Sequence, residues 1–130
     1  MKAVARSKGE HWAHAVEVDG HSLVVDEPPD EGGKNTGPSP TRLLTASLAS
    51  CTAITVEMYA DRKEWDMAGF EVEVEADTSA KPATFEVTLK LPAALDDEQV
   101  ERAKVIAGKC PVHRILKAEA EVTDRVERVS

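Results

Sequence analysis

Only two cysteines occur in the sequence, and that scarcity excludes several roles at once. Two thiols cannot complete a four-cysteine zinc site. In a reducing compartment they are also poor candidates for a permanent structural bridge, which leaves redox chemistry or plain burial. The opening residues, Met1 to Arg6, lack the apolar stretch of a signal peptide, and no apolar run approaches the roughly 20 residues that cross a bilayer. The expected location is therefore cytoplasmic, with no membrane partner. Basic residues are in short supply and never clustered: 16 stand against 24 acidic ones, for a formal charge of -8. A nucleic acid would meet net repulsion, so none is expected as a partner. Glycine-rich phosphate loops, internal repeats and low-complexity tracts are missing as well.

The remaining composition is that of a folded protein. With 42% hydrophobic and 31% charged residues in 130, the chain can bury one sizeable core, and a single domain over residues 1–130 is expected. Short strands are predicted over Ala3–Arg6, His11–Val18 and His21–Val25. Lys8-Gly9 and Asp19-Gly20 supply hairpin signals, the second of the type I′ kind. Residues Asp26 to Pro38 have no periodicity and many breakers, which marks a long loop of the kind that often forms a lid or a binding segment.

Ser39 followed by Pro40 is a helix start, and a long helix is predicted over Pro40–Glu64. On a helical wheel Leu43, Leu44, Ser47, Leu48, Ile54, Thr55, Met58 and Tyr59 fall around Cys51, which places the thiol at the centre of the expected buried stripe. Strict alternation then predicts strands at Phe70–Ala76 and Thr84–Leu91, paired antiparallel. Asp96 is an N-cap signal for a helix that Gly108 stops. Pro111 directly after Cys110 starts a short third helix ending near Lys117. A final strand, Ala120–Val129, closes the expected order β-β-β-α-β-β-α-α-β, an α+β arrangement.

A thiol becomes nucleophilic as thiolate, which needs positive charge or a helix N-terminus nearby. Cys110 has the local help of a helix start; Cys51, about three turns into its helix, has none. Local electrostatics alone therefore favour Cys110 as the more acidic thiol. If Cys51 reacts, its activating cation must come from elsewhere in the fold, and His11, His14, Arg6 and Lys34 are the candidates. Each cysteine also has an inert reading, as a small apolar residue packed in a helix face or as a cap in a turn. Cys110-Pro111-Val112-His113 looks like half a metal site, but zinc would need two more ligands, so no metal is expected and His113 reads as a hydrogen bonder at the helix end.

The stretch from Gly37 to Val56, GPSPTRLLTASLASCTAITV, together with Lys109-Cys110-Pro111-Val112-His113, resembles the two cysteine motifs of the OsmC/Ohr family. The resemblance runs from about Asp19-Gly20 to Val126 and includes Met58 to Lys63. It implies an OsmC-like fold with an N-terminal antiparallel sheet, a long central helix, a second sheet segment and C-terminal helices, assembled as an intertwined homodimer with active sites at the subunit interface. It implies roles too. Cys51 would be the peroxidatic thiol that attacks an organic hydroperoxide, and Cys110 would resolve the sulfenic acid as a disulfide. A dithiol reductant would restore the pair, with no metal or organic cofactor. The better-known peroxidase branches carry a Glu shortly after the proline at the helix start, which orients an activating Arg. Here Thr41 and Arg42 occupy that stretch, and the activating position falls near His11. The alternative is a non-enzymatic relative that binds an apolar small molecule or senses redox state.

Overall fold

The structure, a computed structural model, describes residues 1–129 and divides the chain into two compact units, Met1–Ser47 with Val74–Glu86 and Leu48–Glu73 with Val87–Ser130. The architecture is α+β, as the sequence predicts: the described residues form a three-stranded sheet, a two-stranded sheet and three α-helices.

In the first unit, strands β1 (Ala3–Ser7), β2 (His14–Val18) and β3 (His21–Val25) form an antiparallel meander in the order β1-β2-β3. Ala3 faces Val18 and Ser7 faces His14 across the first pair, while His14 faces Val25 and Val18 faces His21 across the second. Asp19 and Gly20 turn the second hairpin with φ of 45° and 84°, the paired positive values of a type I′ turn. The second strand begins at His14 rather than at His11. His11 has a φ of 47°, which no strand residue adopts, and the Lys8 and Ala13 amides donate to the carbonyls of Ala13 and Glu10 to close a turn there.

The loop after β3 is far better tied than its breaker-rich sequence suggests. It contains one turn of 3-10 helix at Pro29–Glu31, and the buried Asp26 carboxylate accepts the Glu27 amide at 2.8 Å, the Lys34 amide at 3.3 Å, and the Thr36 amide and hydroxyl at 3.1 and 2.7 Å. Those bonds, with the Thr36 hydroxyl the largest influence, hold the Asp26 pKa down at about 2. Two glycines make the closure possible. A β-carbon on Gly33 would run into the Glu27 carbonyl, and one on Gly37 into the Val24 carbonyl.

Helix α1 spans Pro40–Arg62, with Pro40 at its first position and the Ser39 hydroxyl accepting from the Arg42 guanidinium at 3.0 Å. In the second unit its buried residues are Leu48, Thr52, Val56 and Ala60. The expected stripe centred on Cys51 is thus displaced by one position around the helix. Cys51 is half-buried at the edge, and Ile54 and Met58, expected inside, are 58% and 64% exposed in the single chain. The reason is visible in the core: Val56 packs with Ala103, Ile106 and Ala107 of α2 (Asp97–Ala107), with Tyr59, Trp65, Met67, Phe70, Leu89 and Leu91 around them. A helix apolar on nearly every side gives periodicity no face to select, so the partner element decides.

By length and composition α1 is also apolar enough to cross a membrane, contrary to the expectation from apolar runs; its interspersed Ser and Thr break the runs without making the helix polar. Strands β4 (Glu71–Asp77) and β5 (Thr84–Lys90) pair through a connection too short for a parallel crossover, with Val72, Val74, Phe85, Val87 and Leu89 on the half-buried parity. Helix α2 carries a complete capping box between Asp96 and Gln99, and α3 spans Pro111–Lys117 with Cys110 as its N-cap. The expected final strand, Ala120–Val129, does not form: the segment has no regular structure, and Val122, Val126 and Val129 are 82%, 91% and 94% exposed. A strand needs a sheet edge to supply its ladder hydrogen bonds, and this segment pairs with none.

Candidate functional site

Both cysteines belong to the second unit, and the structure brings them together as free thiols. Cys51 comes from the middle of α1 and Cys110 from the cap of α3, so the helix stop at Gly108 and the restart at Pro111 are what aim Cys110 at α1. The two thiols lie close enough to influence each other's ionisation. Each sulfur also receives a backbone donor from the first turn of α3. The Val112 amide points at Cys51 Sγ at 3.5 Å, and the His113 amide at Cys110 Sγ at 3.4 Å.

The two thiols differ in charge preference. Burial pushes the Cys51 thiol up, and the neighbouring Cys110 pushes the same way, outweighing the Val112 amide and the Thr55 hydroxyl. Burial also opposes ionisation at Cys110. There the Cys51 S–H, the His113 and Val112 amides and the Thr52 hydroxyl together win, and the thiol lies below its ordinary value. Thr52 has one hydroxyl proton, which in the neutral pair goes to the Leu48 carbonyl at 2.8 Å. Access runs opposite to acidity: Cys110 is fully buried, whereas Cys51 is partly open.

A cavity of about 550 Å³ lies beside the pair, lined by Thr55 and Pro111, by Met58 and Ile106, and by Arg62 and Lys109 among others. Thr55 lies one helical turn after Cys51, and Pro111 follows Cys110 directly. His113 keeps a buried Nδ1 with no hydrogen-bond partner, and among the described residues no three His, Cys, Asp or Glu side chains are grouped as a metal ion would require.

The other candidates named from the sequence lie in the first unit. His11 is exposed in its turn, His14 places Nδ1 at 2.7 Å from the Trp12 carbonyl, Arg6 pairs with Glu17 at 3.4 Å, and Lys34 gives its amide to Asp26. Thr52, Thr55 and the Val112 amide were not legible as site groups. A threonine one position or one turn after a helical cysteine is too common a pattern to single out, and a backbone donor has no sequence signature.

That unit has a cavity of its own, of about 640 Å³, lined chiefly by apolar residues such as Val16, Val25, Leu43 and Leu44 with Trp12 and His14.

The sequence model of the OsmC-like protein family matches residues 33–124, which includes both cysteines. Among solved structures, the chain is similar to a candidate osmotic stress induced and detoxification response protein from Psychrobacter arcticus 273-4. The two share 27% identity over 88% of this chain and 86% of that one, with a TM-score of 0.75. An organic hydroperoxide resistance protein OsmC from Legionella pneumophila, described as a predicted redox protein, is 21% identical over 89% and 88% of the two chains, with a TM-score of 0.61. The organic hydroperoxide resistance protein OhrB of Bacillus subtilis is 24% identical over 87% of each, with a TM-score of 0.55. No curated protein matches the chain. With the family match covering well over half of the sequence, and the fold shared with these structures, the chain belongs to the OsmC-like family.

Proposed function

We propose that this protein is a thiol-dependent peroxidase that reduces organic hydroperoxides through a Cys51–Cys110 cycle in the cytoplasm. The observation that carries the proposal is the pairing of the thiols: two reduced cysteines, distant in sequence, lie close enough to influence each other's ionisation, and each receives a backbone N–H donor from the first turn of α3. An inert pair of core cysteines has no need of that donor set. In the cycle, Cys51 attacks the terminal oxygen of the hydroperoxide and becomes a sulfenic acid as the alcohol leaves. Cys110 then displaces hydroxide to form the disulfide, and a dithiol reductant returns both thiols. Disulfide formation brings the two sulfurs to a bond of about 2 Å. The apolar walls beside the pair, Met58, Ile106 and Pro111, favour an alkyl hydroperoxide over hydrogen peroxide.

The homodimer belongs to the same proposal. Only 22% of the most apolar window of α1 is buried in the single chain, and Leu44, Ile54 and Met58, on the same side of the helix as Cys51, are 41%, 58% and 64% exposed. A second copy is the partner that would cover them.

Rapid mixing with an alkyl hydroperoxide tests the activity. The expected result is thiol loss at least about a hundredfold faster than for free cysteine, the scale that positioning and proton transfer supply. A rate equal to that of free cysteine would exclude the peroxidase. The largely apolar cavity of the first unit favours a second reading, a non-enzymatic binder of an apolar small molecule, and that result would leave it standing.

A further inference from the structure

The second unit holds another cavity, of about 610 Å³, where the end of α1 and the segment after it meet the first turns of α2. Neither cysteine lines it. Tyr59 gathers cations there. The Arg102 Nε donates to the Tyr59 hydroxyl at 3.0 Å, and the Arg102 guanidinium, the Lys63 ammonium and the Arg62 guanidinium lie 5.3, 5.7 and 5.9 Å from the centre of its ring. Trp65 meets the same ring edge-on, with centroids 5.4 Å apart and planes at 73°.

Arg102 is turned away from the partner its own helix offers. Glu98 precedes it by four positions on α2, the order that favours a helical ion pair, yet the guanidinium bonds the phenol of α1. The ion pairs among the described residues, Arg6–Glu17 and Lys90–Glu73, include none of these charges. Lys63 and Arg102, and with them Glu98 and Glu101, thus line one cavity without pairing with one another. The Arg102 hydrogen bond is also the largest influence on the Tyr59 phenol and holds it below its ordinary value, as an unpaired cation should.

We propose that this cavity binds a free α-amino acid with an aromatic side chain. The charges assign the ligand's orientation. Arg102 commits Nε to Tyr59 and keeps its two terminal amino groups, the fork that a carboxylate fills with two parallel hydrogen bonds. Lys63 adds a second positive charge for the same carboxylate, while Glu98 and Glu101 receive the ammonium. Trp65, Tyr59 and the half-exposed Val105 supply the apolar wall for the ring. A ligand carrying charge of one sign fits less well. A simple anion meets the carboxylates of Glu98 and Glu101, and a simple amine meets Lys63 and Arg102. The zwitterion answers both sets. The inference stands apart from the peroxidase reading, since it uses no group of the dithiol.

Calorimetric titration of the wild-type protein with L-phenylalanine, 3-phenylpropionate, phenethylamine and inorganic phosphate tests the inference. Phenylalanine is expected to bind with a dissociation constant of about a millimolar or below, in keeping with about a dozen non-hydrogen atoms in an open cavity. The propionate lacks the ammonium and the amine lacks the carboxylate, and each is expected to bind about tenfold more weakly or worse, as is phosphate. Equal binding of 3-phenylpropionate or phosphate would overturn the proposal in favour of a plain anion site. The absence of saturable phenylalanine binding up to about 20 mM, well above the expected constant, would overturn it outright. The place of binding has its own readout. Trp12→Phe leaves Trp65 as the sole tryptophan, whose fluorescence is expected to change saturably with the calorimetric constant. Arg102→Gln is expected to weaken phenylalanine about tenfold or more and to leave phenethylamine unchanged, a contrast that misfolding would not produce. Phenylalanine affinity unchanged in Arg102→Gln would overturn the assigned site.

Discussion

At the residue scale, the functional groups divide into those whose chemistry is written in their type and those whose chemistry is written in their neighbours. Cys51 and Cys110 could be singled out from the sequence because a thiol is scarce and a helix start beside it is readable. Their contact could not, since it depends on how α1 and the α2–α3 turn pack. Asp26 is the converse case. It read as one more acidic residue in a breaker-rich loop, yet its carboxylate gathers four hydrogen bonds. Its folded pKa of about 2 lies below the ordinary carboxylate value of roughly 3.9. The stabilisation is therefore complete above about pH 4 and is lost as pH falls through about 2. Acid titration of the melting temperature is expected to show that loss in the wild type and not in Asp26→Asn, which should melt lower at neutral pH. A variant whose acid profile superimposes on the wild type would show that the loop is held by something else. For the cysteines, Cys110→Ser treated with a stoichiometric alkyl hydroperoxide is expected to accumulate Cys51 as sulfenic acid, detectable by dimedone labelling and mass spectrometry.

At the element scale, punctuation was more legible than packing. Pro40, Pro111, Asp96 and the Asp19-Gly20 turn each mark a boundary that the structure keeps to within a residue, because each acts through its own backbone or the nearest amide. Helix α2 shows this directly. Asp96 accepts the Gln99 amide at 2.8 Å, while the Asp96 amide donates to Gln99 Oε1 at 2.8 Å. Asp96→Ala is expected to cost about 1 kcal/mol in chemical denaturation, the usual worth of such a cap, with little effect on the thiols. The face that α1 buries was not legible, since Leu48, Thr52 and Val56 are no more apolar than Leu44, Ile54 and Met58. Only the position of α2 distinguishes the two sets. The same limit explains the final strand. Its composition suits a strand, but pairing is a property of two segments, and Ala120–Val129 pairs with no strand among the described residues.

At the scale of the whole molecule, family and fold class were legible because motif order and strand alternation survive where individual contacts do not. The exposed apolar side of α1 points to self-association. Light scattering at micromolar concentration is expected to give twice the 14.1 kDa chain mass, and Met58→Glu is expected to shift it toward that of one chain. A stable monomer in the wild type would remove subunit contacts from any account of the site. The central claim is tested most directly by adding one equivalent of an alkyl hydroperoxide to the reduced protein and mapping its peptides without reductant. The account predicts rapid loss of both thiols and an intramolecular Cys51–Cys110 disulfide. Oxidation of Cys110 with Cys51 left as thiol, or cross-links only between subunits, would contradict it.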